Sequence, residues 1–139
     1  MKLTSKFFIV LPAITAVLFL SFTFQNQPSF DLKASIERGK EVYISYCISC
    51  HMEKGDGLEN VYPPLAKADY LMADKKRSIQ QVLYGATGEM KVNGKVYNTE
   101  MLGVDLTDEQ VSDVLNYVRN TWGNKSAAVK PEEVKAARK

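Results

Sequence analysis

The chain has 139 residues, 45% of them hydrophobic, and its 18 Lys and Arg against 16 Asp and Glu leave a formal net charge of +2. That length fits a single domain, and the near balance of charge excludes the dense basic surface that binding to nucleic acid needs. Two cysteines and one histidine also exclude a closed zinc cage, which takes about four protein ligands.

The N-terminus reads as a targeting segment. Lys2 and Lys6 precede an apolar run from Phe7 to Phe24, broken only by Pro12, Thr15, Ser21 and Thr23, which is the pattern of a secretory signal. No A-x-A site follows it, and a run of about 18 residues is long enough to stay in a membrane. Residues 1–24 are therefore expected to be a signal peptide or an N-terminal membrane anchor, with possible attachment through residues 7–24. Residues 25–33 read as a polar leader. Without Lys2 and Lys6 the basic and acidic counts are equal, at 16 each.

The first helix is predicted from Ser35, as N-cap, to Tyr46, with Ile36, Gly39, Val42, Tyr43 and Tyr46 on one face. Gly39 on that face costs about 1 kcal/mol against alanine and implies a close helix contact there.

Directly after this helix comes Cys47-Ile48-Ser49-Cys50-His51, which holds both cysteines and the single histidine. This C-x-x-C-H run is the attachment signature of c-type haem. Two thiols at that spacing can each form a thioether with a haem vinyl group, and the next residue, His51, then lies beneath the iron. A thioredoxin-like pair would need a βαβ setting, whereas the flanks read as helix and glycine-rich loop. A disulfide would leave His51 unexplained.

Lys54-Gly55-Asp56-Gly57 is a loop by composition, and Pro64 forces Pro63 extended. Ala68 to Ala73 suggests a short helix. Ser78-Ile79-Gln80-Gln81 resembles a capping box that opens a helix through Tyr84, ended by Gly85. Met90 to Tyr97 reads as a β-hairpin around Asn93-Gly94. The last core helix is capped by Thr107 with Gln110 and carries Val111, Val114, Leu115, Val118 and Trp122 at helical spacing. Gly123 stops it. Residues 125–139 form a polar, cationic tail, expected to be a solvated appendage in which Pro131 can start a short helix.

With one histidine, the second axial position of the iron falls to a methionine or stays open. Met1 lies in the targeting segment and Met52 adjoins His51 on the same side. Of Met72, Met90 and Met101, Met101 is the best candidate, since it lies in an irregular stretch just before the last helix.

Taken together, Gly39 and Tyr43, Cys47 to His51, Pro63-Pro64-Leu65-Ala66, Met101, and Asp108 to Trp122 with Tyr117 resemble a bacterial monohaem class I c-type cytochrome, in that family's order and spacing, over residues 36–124. The resemblance implies an all-α cytochrome c fold, with three to four short helices around one covalent haem and a small β-hairpin insertion, in a domain at 34–124. It implies that Gly39 and Tyr43 cross the last helix near Val114 and Tyr117. It also implies that the Pro63 carbonyl accepts a hydrogen bond from His51, and that Pro64 and Leu65 pack by the haem edge. Such cytochromes often carry Met-Pro at the distal ligand, whereas here Leu102 follows Met101. Residues 63–124 further resemble cytochrome domains beside or fused to copper nitrite reductases and quinoprotein dehydrogenases.

The expected function is a periplasmic single-electron carrier with haem c bound through Cys47 and Cys50 and with His51 and Met101 as the metal ligands. It is not itself an enzyme. Its expected partners are redox proteins such as a copper nitrite reductase, a quinoprotein dehydrogenase or a terminal oxidase. Two alternatives are a haem-based sensor with a labile sixth ligand and an anchored cytochrome subunit of a larger oxidoreductase.

Overall fold

A computed structural model describes residues 29–139; the targeting segment and residues 25–28 lie outside the described residues. Helix α1 (Leu32–Tyr46) crosses helix α5 (Asp108–Val118), and this crossing is the principal contact of the fold. It forms because Gly39 has no side chain: a Cβ there would overlap the Asp113 carbonyl and lie 2.9 Å from Tyr117 Cβ. Val111, Val114, Leu115 and Val118 of α5 are buried with Val42 and Tyr43 of α1, each full burial contributing about 1.5–3 kcal/mol. The capping box of Thr107 and Gln110 closes the start of α5 as the sequence predicts.

Two starts differ from the sequence reading. Asp31, not Ser35, caps α1 by accepting from the Ala34 N–H. Ser35 lies one turn inside and is buried, its hydroxyl donating to Asp113 Oδ1 at 2.5 Å. Helix α4 (Lys75–Tyr84) starts at Asp74, whose side chain accepts from the Arg77 N–H. Ser78 is buried inside that helix and donates back to the carbonyls of Leu71 and Asp74.

Between these helices lie the single turn α2 (Ile48–His51) and the short α3 (Asp69–Ala73). Arg77 and Arg119 close α3 by donating to the carbonyls of Tyr70 and Leu71. The antiparallel hairpin β2 (Met90–Val92) and β3 (Lys95–Tyr97) turns at Asn93-Gly94, both with positive φ. Asp69 and Asn93 exchange side-chain to backbone hydrogen bonds that pin the hairpin to α3. A second antiparallel pair joins β1 (Gly85–Ala86) to β4 (Met101–Leu102). The stretch around Met101, expected to be irregular, is therefore tied to the end of α4.

The tail differs most from expectation. Residues 131–137 form α6 (Pro131–Ala137), which packs on α5 and α4. Val129 and Val134 are fully buried and Ala137 nearly so. Asn116 holds Val129 from both sides, its Nδ2 donating to the Val129 carbonyl and its Oδ1 accepting from the Val129 N–H. Lys75 pairs with Glu133, and Arg138 with Asp108. The segment is thus a strap rather than a solvated appendage, because three apolar side chains among charges suffice when α4 and α5 offer a face to receive them. No helix among the described residues is long and apolar enough to cross a membrane.

Candidate haem site

Turn α2 and the residue before it, Cys47, present Cys47, Cys50 and His51 to a cavity of about 450 Å³ enclosed by α2, the Pro63–Leu65 loop, α4, the hairpin, the Met101 segment and α5. The volume falls within the roughly 300–1,000 Å³ of cofactor and ligand sites. No disulfide joins the two cysteines. Burial, with a smaller contribution from Cys50, pushes the Cys47 thiol up to about 11.

His51 is held from behind. Its Nδ1 lies 3.1 Å from the Pro63 carbonyl. A carbonyl can only accept, so Nδ1 carries the proton and Nε2 keeps a free lone pair. Burial lowers the His51 pKa and the Pro63 hydrogen bond works against it, which leaves the ring inclined to the neutral form that coordinates metals.

The loop carrying Pro63 is built on glycines. The Gly57 N–H donates to the His51 carbonyl at 3.1 Å, and a Cβ on Gly57 would lie 2.7 Å from the Pro63 oxygen. Gly55 accepts from the N–H groups of Leu65 and Ala66 and lies so close to the Trp122 ring that a Cβ would sit 2.5 Å from it. Trp122 in turn forms a three-ring cluster with Tyr43 and Tyr117, centroids 5.1–5.4 Å apart.

Two contacts here had no signal in the sequence. The Tyr43 hydroxyl donates to the Met52 carbonyl at 2.6 Å, next to His51. Burial raises the Tyr43 pKa far above the ordinary tyrosine value, so this donor stays protonated. Asn124 Nδ2 donates to both the Leu65 and the Val118 carbonyls, which ties the proline loop to the end of α5.

Met101 lines the cavity and so does Met90, whereas Met52 and Met72 do not. Met90 is a strand residue paired with Tyr97, and Met101 is paired with Ala86. The rest of the lining is mostly apolar, with Tyr46, Leu65, Val82, Val92, Val104 and Leu115 among it. An apolar cavity that holds two thiols and a histidine with one free ring nitrogen has the donor set and the shape for a flat macrocycle attached at its edge. Tyr46 and Leu102 line the cavity yet are 52% and 76% exposed, so they mark its mouth.

Comparison with known proteins agrees with this site. The cytochrome c family description matches residues 36–122. Cytochrome c-552 of Thermus thermophilus is 36% identical over 110 residues, covering 72% of this chain and 83% of that protein. The cytochrome c subunit of the quinone alcohol dehydrogenase of Gluconobacter oxydans is 33% identical over 88 residues, 62% of this chain but 18% of that subunit. The gluconate 2-dehydrogenase cytochrome c subunit of Pantoea cypripedii is 33% identical over 108 residues, 74% of this chain and 24% of that one. The chain therefore belongs to the cytochrome c family, as a class I c-type cytochrome whose covalent haem c serves electron transfer.

Proposed function

We propose that this protein is a periplasmic one-electron carrier in which Cys47 and Cys50 hold haem c by thioethers while His51 and Met101 are the axial ligands. Haem c supplies the one-electron iron couple. The chain supplies the rest. The Pro63 carbonyl fixes the His51 ring through Nδ1 and leaves Nε2 free for the iron. Met101 brings a neutral thioether, and the apolar lining disfavours extra charge. Both of these raise the reduction potential.

The observation that carries this reading is the convergence of both thiols, His51 and Met101 on one apolar cavity. With both axial positions filled by protein, no site is left for a substrate, which supports a carrier rather than an enzyme. The exposed Tyr46 and Leu102 at the cavity mouth suit a small transient contact, as weak redox encounters bury less than about 1,200 Å². The partners proposed are quinoprotein dehydrogenases and terminal oxidases, in keeping with the dehydrogenase subunits among the relatives, and copper nitrite reductases. Residues 1–24 are proposed as the export signal or anchor, and residues 34–124 as the domain unit with the strap docked on it.

The test is the red-to-near-infrared charge-transfer band of ferric haem ligated by methionine. It is expected in the wild type and in Met90→Ala and absent in Met101→Ala. Persistence in Met101→Ala refutes the assignment. Fast carbon monoxide binding to the ferrous wild type would support the sensor instead.

A further inference from the structure

The Met101 segment reaches the cavity without a proline after the methionine, and Leu102 is 76% exposed, so its side chain does little to hold the segment. What holds it is backbone packed on backbone. Gly85 at the end of α4 has φ +83, and a Cβ there would overlap the Met101 carbonyl and come within 2.9 Å of the Gly103 nitrogen. From the other side, a Cβ on Gly103 would lie 2.6 Å from the Leu83 carbonyl oxygen and 2.9 Å from Tyr84 Cα. The two glycines lie diagonally across the β1–β4 pairing, one residue off its register of Gly85 to Leu102 and Ala86 to Met101. One residue further on, the Val104 N–H donates to the Val82 carbonyl at 2.9 Å. The Met101 segment is thus bonded at 101–102 and again at 104 to the end of one rigid helix.

We propose that Gly85 and Gly103 are positioning residues, forming a clamp between α4 and the Met101 segment that sets how tightly the methionine is kept at the iron. This rests on the assignment of Met101 as axial ligand. A side chain at either position wedges the two backbones apart. The segment then still reaches the cavity but gives way more readily to an external ligand.

Gly88 provides the control. Its φ of +82 matches that of Gly85, yet a Cβ there meets nothing within 4 Å. Gly88→Ala therefore carries the backbone strain without the wedge, Gly103→Ala carries the wedge without a left-handed φ, and Gly85→Ala carries both.

The experiment measures imidazole affinity of the ferric holoprotein and carbon monoxide association with the ferrous form, alongside the charge-transfer band. In Gly103→Ala and Gly85→Ala both readouts are expected to rise about tenfold or more, in line with the cost of overpacking, with the band still present at neutral pH. Gly88→Ala is expected to match the wild type. Equal ligand binding in all four proteins overturns the clamp while leaving the ligand assignment intact. Absence of the band from the wild type overturns both. Hydrogen exchange of the wild-type holoprotein needs no variant: the Val104 amide is expected to exchange as slowly as the amides of α4, and fast exchange there overturns the clamp.

Discussion

Gly39 of α1 lies directly against the Asp113 carbonyl of α5, with no room between them for a methyl group. The contact is backbone on one side, so nothing can rotate away to relieve an inserted Cβ. Overpacking usually costs about 1–3 kcal/mol, and here the helices themselves must separate. Gly39→Ala is expected to destabilise the holoprotein by about 3 kcal/mol, read as a lower denaturant midpoint, with the haem still attached because α2 is not touched. A midpoint within error of the wild type would show that the crossing is looser than described.

Asp113 shows the second dependence of this crossing. Its side chain is only 3% exposed and accepts from Ser35 Oγ and from Arg38 Nε at 2.7 Å and Nη2 at 2.8 Å. The hydrogen bond to Asp113 is the main cause that raises the Arg38 pKa. Removing Arg38 leaves a buried carboxylate with one hydroxyl donor, and hydrogen bonds to charged groups contribute about 1.5–3 kcal/mol. Arg38→Ala is therefore expected to cost about 2 kcal/mol. The double variant Arg38→Ala, Asp113→Asn should recover part of it, since the uncompensated charge is gone. Full additivity of the two single losses would argue against the coupling.

What could be read from the sequence was local. The Thr107–Gln110 box, the Asn93-Gly94 turn and the Cys47–His51 run each act within five residues, so spacing alone identifies them. What could not be read depends on partners far along the chain. Ser35 looked like a cap, but its hydroxyl is taken by Asp113, 78 residues away. Ser78 looked like a cap, but Asp74 captures the start of α4 one turn earlier. The strap has only Val129, Val134 and Ala137 to bury, too few for a periodic signal. At the site, the motif placed the thiols and His51 in sequence. The Tyr43 hydroxyl on Met52 and Asn124 under Leu65 follow only from the folded geometry.

The strap makes stability depend on acid. Burial works to raise the Glu133 pKa. It is outweighed by hydrogen bonds from Lys75 and the Lys130 N–H and by the charges of both lysines, so the carboxyl lies below its ordinary value of 4.5. A depressed carboxylate stabilises the fold above its unfolded pKa, and that contribution disappears as pH falls through the folded one. Glu133→Gln is therefore expected to cost less than about 1 kcal/mol at neutral pH, since the pair with Lys75 is more than a third exposed. The difference from wild type should shrink as pH falls below 4.5 and vanish once the folded carboxyl is protonated. Val134→Ala, which opens a cavity under the strap, is expected to cost about 2 kcal/mol at every pH. Urea denaturation of the three proteins across that range checks both, and a Glu133→Gln deficit that grows in acid would reverse the sign argued here.

The His51–Pro63 hydrogen bond links backbone geometry to the reduction potential. Pro64 keeps Pro63 extended, and this aims its carbonyl at Nδ1 across 3.1 Å. Pro64→Ala leaves the acceptor in place but frees the torsions that aim it. With His51 as the proposed axial ligand, a weaker bond makes the imidazole a poorer donor to ferric iron, so the ferrous state gains and the potential rises. Losing about 1 kcal/mol of differential stabilisation corresponds to about 40 mV for one electron. Potentiometric titration of the Pro64→Ala holoprotein is expected to show a rise of that order with the charge-transfer band intact, because Met101 is held from the α4 side. A fall in potential would mean that the carbonyl does not raise the basicity of the ring. Loss of the band would mean that the proline loop and the Met101 segment move together, which the separate hydrogen bonds to Asn124 and Val82 argue against.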